Sequence, residues 1–179
     1  MSPPALREGV VVWLTGLPGA GKSTLAKVLR ERVAALGRSV ELLDADVVRS
    51  HLSQGLGFSR EDRDANVIRL AFVARLLAKH GVFVVVAAIS PFRSTRDAVR
   101  VAIGTFVEIY VATPVAVCLE RDPKGLYARA VAGDIPNFTG ISDPYEEPLA
   151  PEMTIDTSTS SINDDIERIL SGLRCLGYL

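Results

Sequence analysis

Gly16-Leu17-Pro18-Gly19-Ala20-Gly21-Lys22-Ser23 is the stretch that decides the fold. It matches the pattern G-x-x-x-x-G-K-S/T, in which a glycine-rich loop turns backbone N–H groups inward around phosphate oxygens. The glycines permit the backbone angles this requires. Lys22 can reach β- and γ-phosphates as a point charge, and the Ser23 hydroxyl can ligate Mg2+, with Thr24 beside it. The positive end of the following helix faces the same phosphates. A glycine-rich turn can match by accident, but the flanks argue against that here. Val10-Val11-Val12-Trp13-Leu14 reads as a buried strand. Leu25, Val28, Leu29, Arg32 and Val33 then recur at helical spacing, and Gly37 stands where it ends the helix. Strand, loop and helix follow in the order that a nucleoside-triphosphate cradle needs.

The 179 residues suit one domain, spanning 1–179, with a sizeable core. Apolar content of 48% and charged content of 23% are those of a soluble globular protein. A formal net charge of −1 leaves no broad basic field for nucleic acid. No apolar run reaches the ~18 residues of a membrane span. The amino terminus lacks a leader pattern, because its first apolar run is already a core strand. Cys118 and Cys175 lack metal-ligand spacing and read as free buried thiols of a reducing compartment. A cytoplasmic protein without nucleic-acid or membrane partners is expected.

Strand signals fall at 10–14, 39–43, 81–89, 106–111 and 153–156, with helical segments near 24–36, 61–80, 92–102, 114–120 and 161–172. This alternation predicts an α/β fold: a mostly parallel five-stranded sheet between two helical layers. Residues 122–151 break the pattern with Pro123, Pro136, Pro144, Pro148 and Pro151 and with Gly125, Gly133 and Gly140. An irregular stretch of this length reads as a lid or a disordered loop. Leu126, Tyr127, Ile135, Phe138, Ile141 and Tyr145 supply anchors that favour a lid.

Asp44-Ala45-Asp46 closes the second strand, where ligands of open α/β sheets bind. In an extended backbone both carboxylates point to one side. They could hold Mg2+ through water and accept a proton from a hydroxyl nucleophile. Equally, Asp46 could cap a helix beginning near Val47. Ser59 reads as the N-cap of the next helix, with Asp62 at the reciprocal position of a capping box. The core-facing stripe Val67, Leu70, Ala71, Ala74, Leu77 and Ala78 extends backwards to Arg63 and Asn66. Polar groups there demand partners, which an anionic ligand or plain solvent would supply. Ser90 follows the most apolar strand, in Ile89-Ser90-Pro91-Phe92-Arg93, where many P-loop ATPases and GTPases carry an acid. Its absence shifts weight to Asp44 and Asp46. Ser90 could bond a phosphate or merely start the Ser-Pro turn. Arg121 and Lys124 could screen phosphate charge, and Phe138 could stack on a base or simply anchor its loop.

These residues together resemble the adenylylsulfate kinase family. The shared features are Gly16 to Thr24, Leu43-Asp-x-Asp-x-Val-Arg49, Gly57-Phe-Ser59, Arg63-x-x-Asn66, Ile89-Ser-Pro-x-Arg93, Arg121-Asp-x-Lys-Gly-Leu-Tyr127, Phe138-Thr-Gly-Ile141 and Asp143-Pro-Tyr-Glu146. The P-loop is common to many families; the later motifs, in this order, are far more specific. The resemblance implies a P-loop kinase-type three-layer sandwich with a lid. It implies transfer of the ATP γ-phosphate to the ribose 3′-hydroxyl of adenylyl sulfate, with Mg2+ as cofactor, ATP as co-substrate and a homodimer as the assembly. Gly16, Leu17, Pro18, Gly19, Ala20, Gly21, Lys22, Ser23, Thr24 and Arg121 would hold ATP. Ser23, Asp44 and Asp46 would organise the metal, with Lys22, Asp44, Asp46 and Ser90 catalytic. Asp44, Asp46, Arg49, Phe58, Arg63, Asn66, Ile89, Ser90, Lys124 and Phe138 would bind the acceptor. Phe58 and Phe138 would sandwich its adenine. Ser90 matches a serine proposed in the family to be transiently phosphorylated; direct in-line transfer is the simpler expectation. Pro18 stands where the family has serine, Ala45 where it has glycine and Phe92 where it has tyrosine, and none of these removes a proposed ligand.

Other readings are a P-loop kinase of another nucleotide or small alcohol, a GTP-dependent switch, and a non-catalytic nucleotide-binding module. Asp122-x-x-Gly125 fits a short switch pattern, yet it comes after the fourth strand, and no Asn-Lys-x-Asp run occurs. Intact Lys22, Asp44, Asp46, Arg63 and Asn66 argue against a module without activity.

Overall fold

The structure, a computed structural model, describes residues 9–179. The expectation about an amino-terminal leader lies partly outside the described residues. In chain order the elements are β1 (Val10–Thr15), α1 (Lys22–Ala35), β2 (Val40–Asp44), α2 (Ala45–Leu52), α3 (Arg60–Lys79) and β3 (Phe83–Ala87). They continue as α4 (Arg93–Ile103), β4 (Phe106–Val111), α5 (Val115–Arg121), α6 (Leu126–Val131), β5 (Met153–Ile155) and α7 (Ile162–Cys175). The sheet has the order β2-β3-β1-β4-β5, and every pairing is parallel.

β1 is the central strand, with Val12 paired to Val85 on one side and Val107 on the other. Its residues are all buried, as a parallel strand covered on both faces must be. Alternation then sorts the core into two layers. Val10, Val12 and Leu14 pack with Leu25, Leu29 and Val33 of α1 and with Ile166, Ile169 and Leu173 of α7. Val11 and Trp13 pack on the opposite face with Val67, Leu70 and Ala74 of α3 and Val99 of α4. The three-layer sandwich puts all five carboxyl ends on one edge, where the glycine-rich loop leaves β1. No helix among the described residues is long and apolar enough to cross a membrane.

Several local expectations need correction. Residues 122–151 are not wholly irregular, because α6 lies within them. Gly125 takes a left-handed φ of 63°, and the Asp122 carboxylate accepts from the N–H groups of Tyr127 and Ala128. Those bonds satisfy the helix start that Pro123 and Gly125 hid from sequence periodicity. α2 begins at Ala45, and its cap is Asp44 rather than Asp46: Asp44 Oδ1 accepts from Asp46 N at 3.1 Å. The strand therefore ends at Asp44, and the two carboxylates do not share an extended face. Ser59 does cap α3, but Asp62 Oδ2 accepts from Gly57 N at 2.9 Å instead of closing the box on Ser59. Cys118 is buried, whereas Cys175 is exposed.

Gly9 marks how tightly β1 enters the sheet. A Cβ at Gly9 would lie 2.1 Å from the carbonyl oxygen of Ala78 and 2.6 Å from that of Val82. Both obstacles are backbone, so Gly9→Ala is expected to cost about 1–3 kcal/mol through overpacking. A lowered urea midpoint checks this; an unchanged midpoint would mean that β1 shifts freely past the α3–β3 turn.

Candidate active site

Three of the long helices start with a side-chain cap: Asp44 on α2, Ser59 on α3 and Ser161 on α7. α1 starts with none. Its N-cap is Gly21, in the left-handed region at φ 101°. The first amides of a helix have no intrahelical partner, so this end stays open to an anion. A Cβ on Gly21 would press against Thr157 at 3.3 Å, which makes the position a close approach as well as a left-handed one.

Side chains from elsewhere hold the loop in shape. Thr113 Oγ1 and Thr157 Oγ1 both donate to Ala20 O, at 3.0 and 2.9 Å. Arg121 donates to Thr157 Oγ1 at 2.7 Å and to Thr157 O at 2.9 Å. Tyr127 Oη donates to Pro18 O at 2.9 Å. Thr113, Thr157 and Tyr127 were not singled out in the sequence for this clamp. Thr113 and Thr157 follow β4 and β5, and only the strand order brings them to the loop after β1.

Lys22 is 8% exposed, and Nζ donates to Gly16 O at 2.9 Å and Leu17 O at 2.7 Å. Burial pulls its ammonium from the ordinary 10.5 down to about 8, while Cys118, Asp46 and Asp44 push the other way. The two acids thus share a field with the lysine. Lys124 pairs with the Asp46 carboxylate across exposed side chains. Ser23 is half-buried in the first turn of α1. A hydroxyl and two carboxylates are hard oxygen donors of the kind Mg2+ takes while keeping several waters.

Beside the acids lies a second cluster. Arg49 Nη2 donates to Leu56 O at 3.0 Å and to Gly57 O, and its guanidinium lies 4.5 Å from the centroid of the Phe58 ring. Phe58 is exposed. Arg63 Nε donates to Phe58 O at 2.9 Å, and its other nitrogens reach Thr139 Oγ1 and Asn137 O. Asp143 lies 3.4 Å from Nη2. The partners that the sequence demanded for Arg63 are therefore supplied by the segment around Phe138 rather than by open solvent. The half-buried Asn66 side chain has no hydrogen bond among the described residues. Phe138 is buried, edge-on to Tyr127 at 5.0 Å. The segments that carry Phe58 and Phe138 are thus joined through Arg63. A groove of about 430 Å³ runs between Leu17, Tyr110 and residues 140–145.

Ser90 is 2% exposed and sits at φ 45°, a conformation that costs a non-glycine residue about 1–3 kcal/mol. Trp13 Nε1 donates to Ser90 Oγ at 3.1 Å. Ile89, half-buried, precedes it, and Thr15 Oγ1 donates to Ile89 O at 2.7 Å. Phe92 is buried with the Arg60 guanidinium 4.2 Å from its ring centroid.

A parallel sheet whose β1 runs through a glycine-rich loop into the open start of α1, with Lys22 buried in that loop, sets the molecule among P-loop phosphotransferases. The chain matches the family model described as adenylylsulphate kinase over residues 8–156. It is 53% identical over 173 residues to the adenylyl-sulfate kinase of Gloeothece citriformis, covering 97% of this chain and 98% of that protein. It is 55% identical over 165 residues to the adenylyl-sulfate kinase of Deinococcus deserti, covering 92% and 91%. The solved structure of the Mycobacterium tuberculosis APS kinase in complex with AMPPNP and APS has a TM-score of 0.89 to it at 41% identity, over 94% of this chain and 99% of that one. The chain belongs to the adenylylsulphate kinase family.

The low Lys22 pKa has a signed consequence. The unfolded chain binds more protons than the ATP-free fold between pH 8 and 10.5, so this group's cost to stability is relieved as pH rises through that window. Phosphates favour the charged lysine, so nucleotide binding above pH 8 must take up a proton. ATP affinity is expected to hold between about pH 7 and 8 and then fall by up to about tenfold per pH unit. Calorimetry in buffers of different ionisation enthalpy checks this; affinity unchanged to about pH 9.5, with no proton uptake, would contradict it.

Proposed function

We propose that this chain transfers the γ-phosphate of ATP to the 3′-hydroxyl of adenylyl sulfate, giving ADP and 3′-phosphoadenylyl sulfate. The observation that carries the reading is the adjacency of two clusters at one sheet edge. Lys22, in the uncapped end of α1, shares a field with Asp44 and Asp46, and Arg49, Phe58 and Arg63 stand beside them on α2, the α2–α3 connection and α3. The first cluster suits a triphosphate. The second suits an acceptor carrying both an aromatic base and an anion.

In this reading Gly16 to Thr24 cradle ATP, and Arg121 flanks it through Thr157. Mg2+ held by Ser23, Asp44 and Asp46 would neutralise phosphate charge. Asp46 exchanges its Lys124 partner for the acceptor hydroxyl and takes its proton, while Lys124 turns to the acceptor's anionic group. Transfer is direct and in line, since phosphoryl transfer needs mainly positioning and charge neutralisation. Ser90 keeps its strand-end turn and carries no phosphoryl group, because its Oγ is buried against Trp13. Residues 122–151 act as a lid that Arg63 clasps at Asn137, Thr139 and Asp143. Asn66, Ile89, Phe58 and Phe138 complete the acceptor pocket beneath that lid. The free thiols Cys118 and Cys175 suit the reducing cytoplasm.

The decisive assay is purified protein with Mg-ATP and a panel of hydroxyl acceptors. ADP release is expected with adenylyl sulfate and not with other nucleotides or small alcohols; release indifferent to adenylyl sulfate would overturn the reading. In the same assay Arg63→Ala is expected to raise the acceptor KM by about 10–100-fold, the loss of charge-assisted bonds worth roughly 1.5–3 kcal/mol, with ATP affinity retained.

A homodimer belongs to the same proposal. Ile68, Phe72 and Leu76 recur at helical spacing along α3 and are 55%, 61% and 45% exposed. Such a stripe is the apolar core an interface needs. Sedimentation at micromolar concentration is expected to show a dimer that Phe72→Glu dissociates; a monomeric wild-type chain would exclude it.

A further inference from the structure

We infer that Arg96 is a positioning residue for the acceptor half of the reaction. Its one buried guanidinium ties the Ile89–Ser90 strand end and the Tyr145–Glu147 root of the lid to β4, touching neither substrate. The inference rests on the acceptor pocket proposed above.

Arg96 lies on α4 and is 2% exposed. Nε donates to Glu108 Oε1 at 2.8 Å, and Glu108, on β4, is itself buried. That pairing satisfies the charge. The remaining donors go to two neutral acceptors: Nη1 to Ser90 O and Nη2 to Glu146 O, each at 2.6 Å. A guanidinium is the side chain that can serve three acceptors in fixed directions at once, which an ammonium cannot.

The same two segments are stitched together around it. Glu146 N donates to Pro91 O at 2.8 Å, and Glu146 Oε2 accepts from Arg93 N at 2.7 Å. The Tyr145 ring lies 5.6 Å from the Arg96 guanidinium carbon. Tyr145 Oη and Thr15 Oγ1 are 2.8 Å apart. Thr15 spends its one proton on Ile89 O, so Tyr145 is the donor of that pair. Arg100 closes the far side, pairing with Glu108 at 3.2 Å and with Glu152 at 2.5 Å.

The lid therefore has a fixed root at 145–147 and a separate clasp at 137–143, held by Arg63. Arg96 makes no hydrogen bond to residues 16–24, whose shape comes from Thr113, Thr157 and Tyr127. Loss of Arg96 would release the left-handed Ser90 turn and the lid root together. Ser90 adjoins Ile89 of the proposed acceptor pocket, and the lid root follows the Arg63 clasp in the chain; neither lies within residues 16–24, although Tyr145 reaches Thr15 at the start of that loop.

Two variants separate this role from plain structural support. Arg96→Lys keeps the charge beside Glu108 but loses the fork. The double variant Arg96→Met with Glu108→Leu removes both buried charges together and keeps the volume. For both, binding of a non-hydrolysable ATP analogue is expected within about twofold of wild type, and kcat/KM for the acceptor is expected to fall by at least about tenfold. Emission from Trp13, the chain's single tryptophan, is expected to shift as its Ser90 partner moves. Folded variants with acceptor kcat/KM within about threefold of wild type, or with equal losses toward both substrates, would overturn the inference. Hydrogen exchange on the wild-type chain needs no variant to fold. The Glu146 amide is expected to exchange as slowly as the β4 amides with no ligand present, while 138–143 gain protection on acceptor binding. Fast exchange at Glu146 would overturn the fixed root by itself. Because that arm uses no acceptor, it stands apart from the acceptor panel, where a failure would count against the substrate reading alone.

Discussion

A buried ammonium group bonded only to carbonyls is the constraint on which the site depends. Lys22 lies against Gly16 O and Leu17 O, and its burial lowers its pKa to about 8. Isolated buried charge is unfavourable, so the loop that carries it must be held by something else. Thr113 and Thr157 hold Ala20 O, and Tyr127 holds Pro18 O. These anchors come from β4, β5 and α6, so the cradle exists only because a parallel sheet brings the ends of β1, β4 and β5 together. The clamp keeps the lysine in a field that anionic phosphates relieve.

The same economy explains why much of the fold could be read from the residues and part of the site could not. β1 and β3 are continuous apolar runs because both faces of the sheet are covered, and that pattern is visible in one dimension. α1 and α3 show their inward faces by helical spacing. α6 did not show itself, since its start depends on two bonds to the Asp122 carboxylate rather than on periodicity. Asp44 and Asp46 were legible as a pair of acids at a strand end. Their roles were not, because a helix that begins at Ala45 turns one into a cap and leaves the other free for Lys124. Thr113 and Thr157 stand 44 residues apart, a separation that only strand order collapses.

Arg63 shows a different limit. A basic residue at the head of a core-facing stripe correctly implied a partner, but sequence spacing does not say which. The structure supplies Phe58 O, Asn137 O, Thr139 and Asp143, so the arginine joins the two aromatic-bearing segments directly. A ligand contact and a contact to another segment place the same demand on a residue. Here the second is made, and Phe138 is packed on Tyr127, which in turn holds the P-loop. The 137–143 segment, the Phe138 ring and the glycine-rich loop are therefore connected through two side chains, Arg63 and Tyr127.

That connection bears on how such an enzyme avoids spending ATP on water. A site that assembles only when both halves are engaged excludes water at the moment of transfer, and lid closure is the usual means. Here the 122–151 segment touches the glycine-rich loop at two points. Tyr127 reaches Pro18, and a Cβ on Gly140 would stand 2.8 Å from the Leu17 side chain, so the backbone of that segment crosses the loop at close range. Asp46 meanwhile is paired with Lys124, a residue of the same segment. On the reading proposed above, an acceptor that drew Lys124 to its own anion would free Asp46 and position the hydroxyl in the same step. The Asp46–Lys124 pair would thereby link activation of the nucleophile to arrival of the right one.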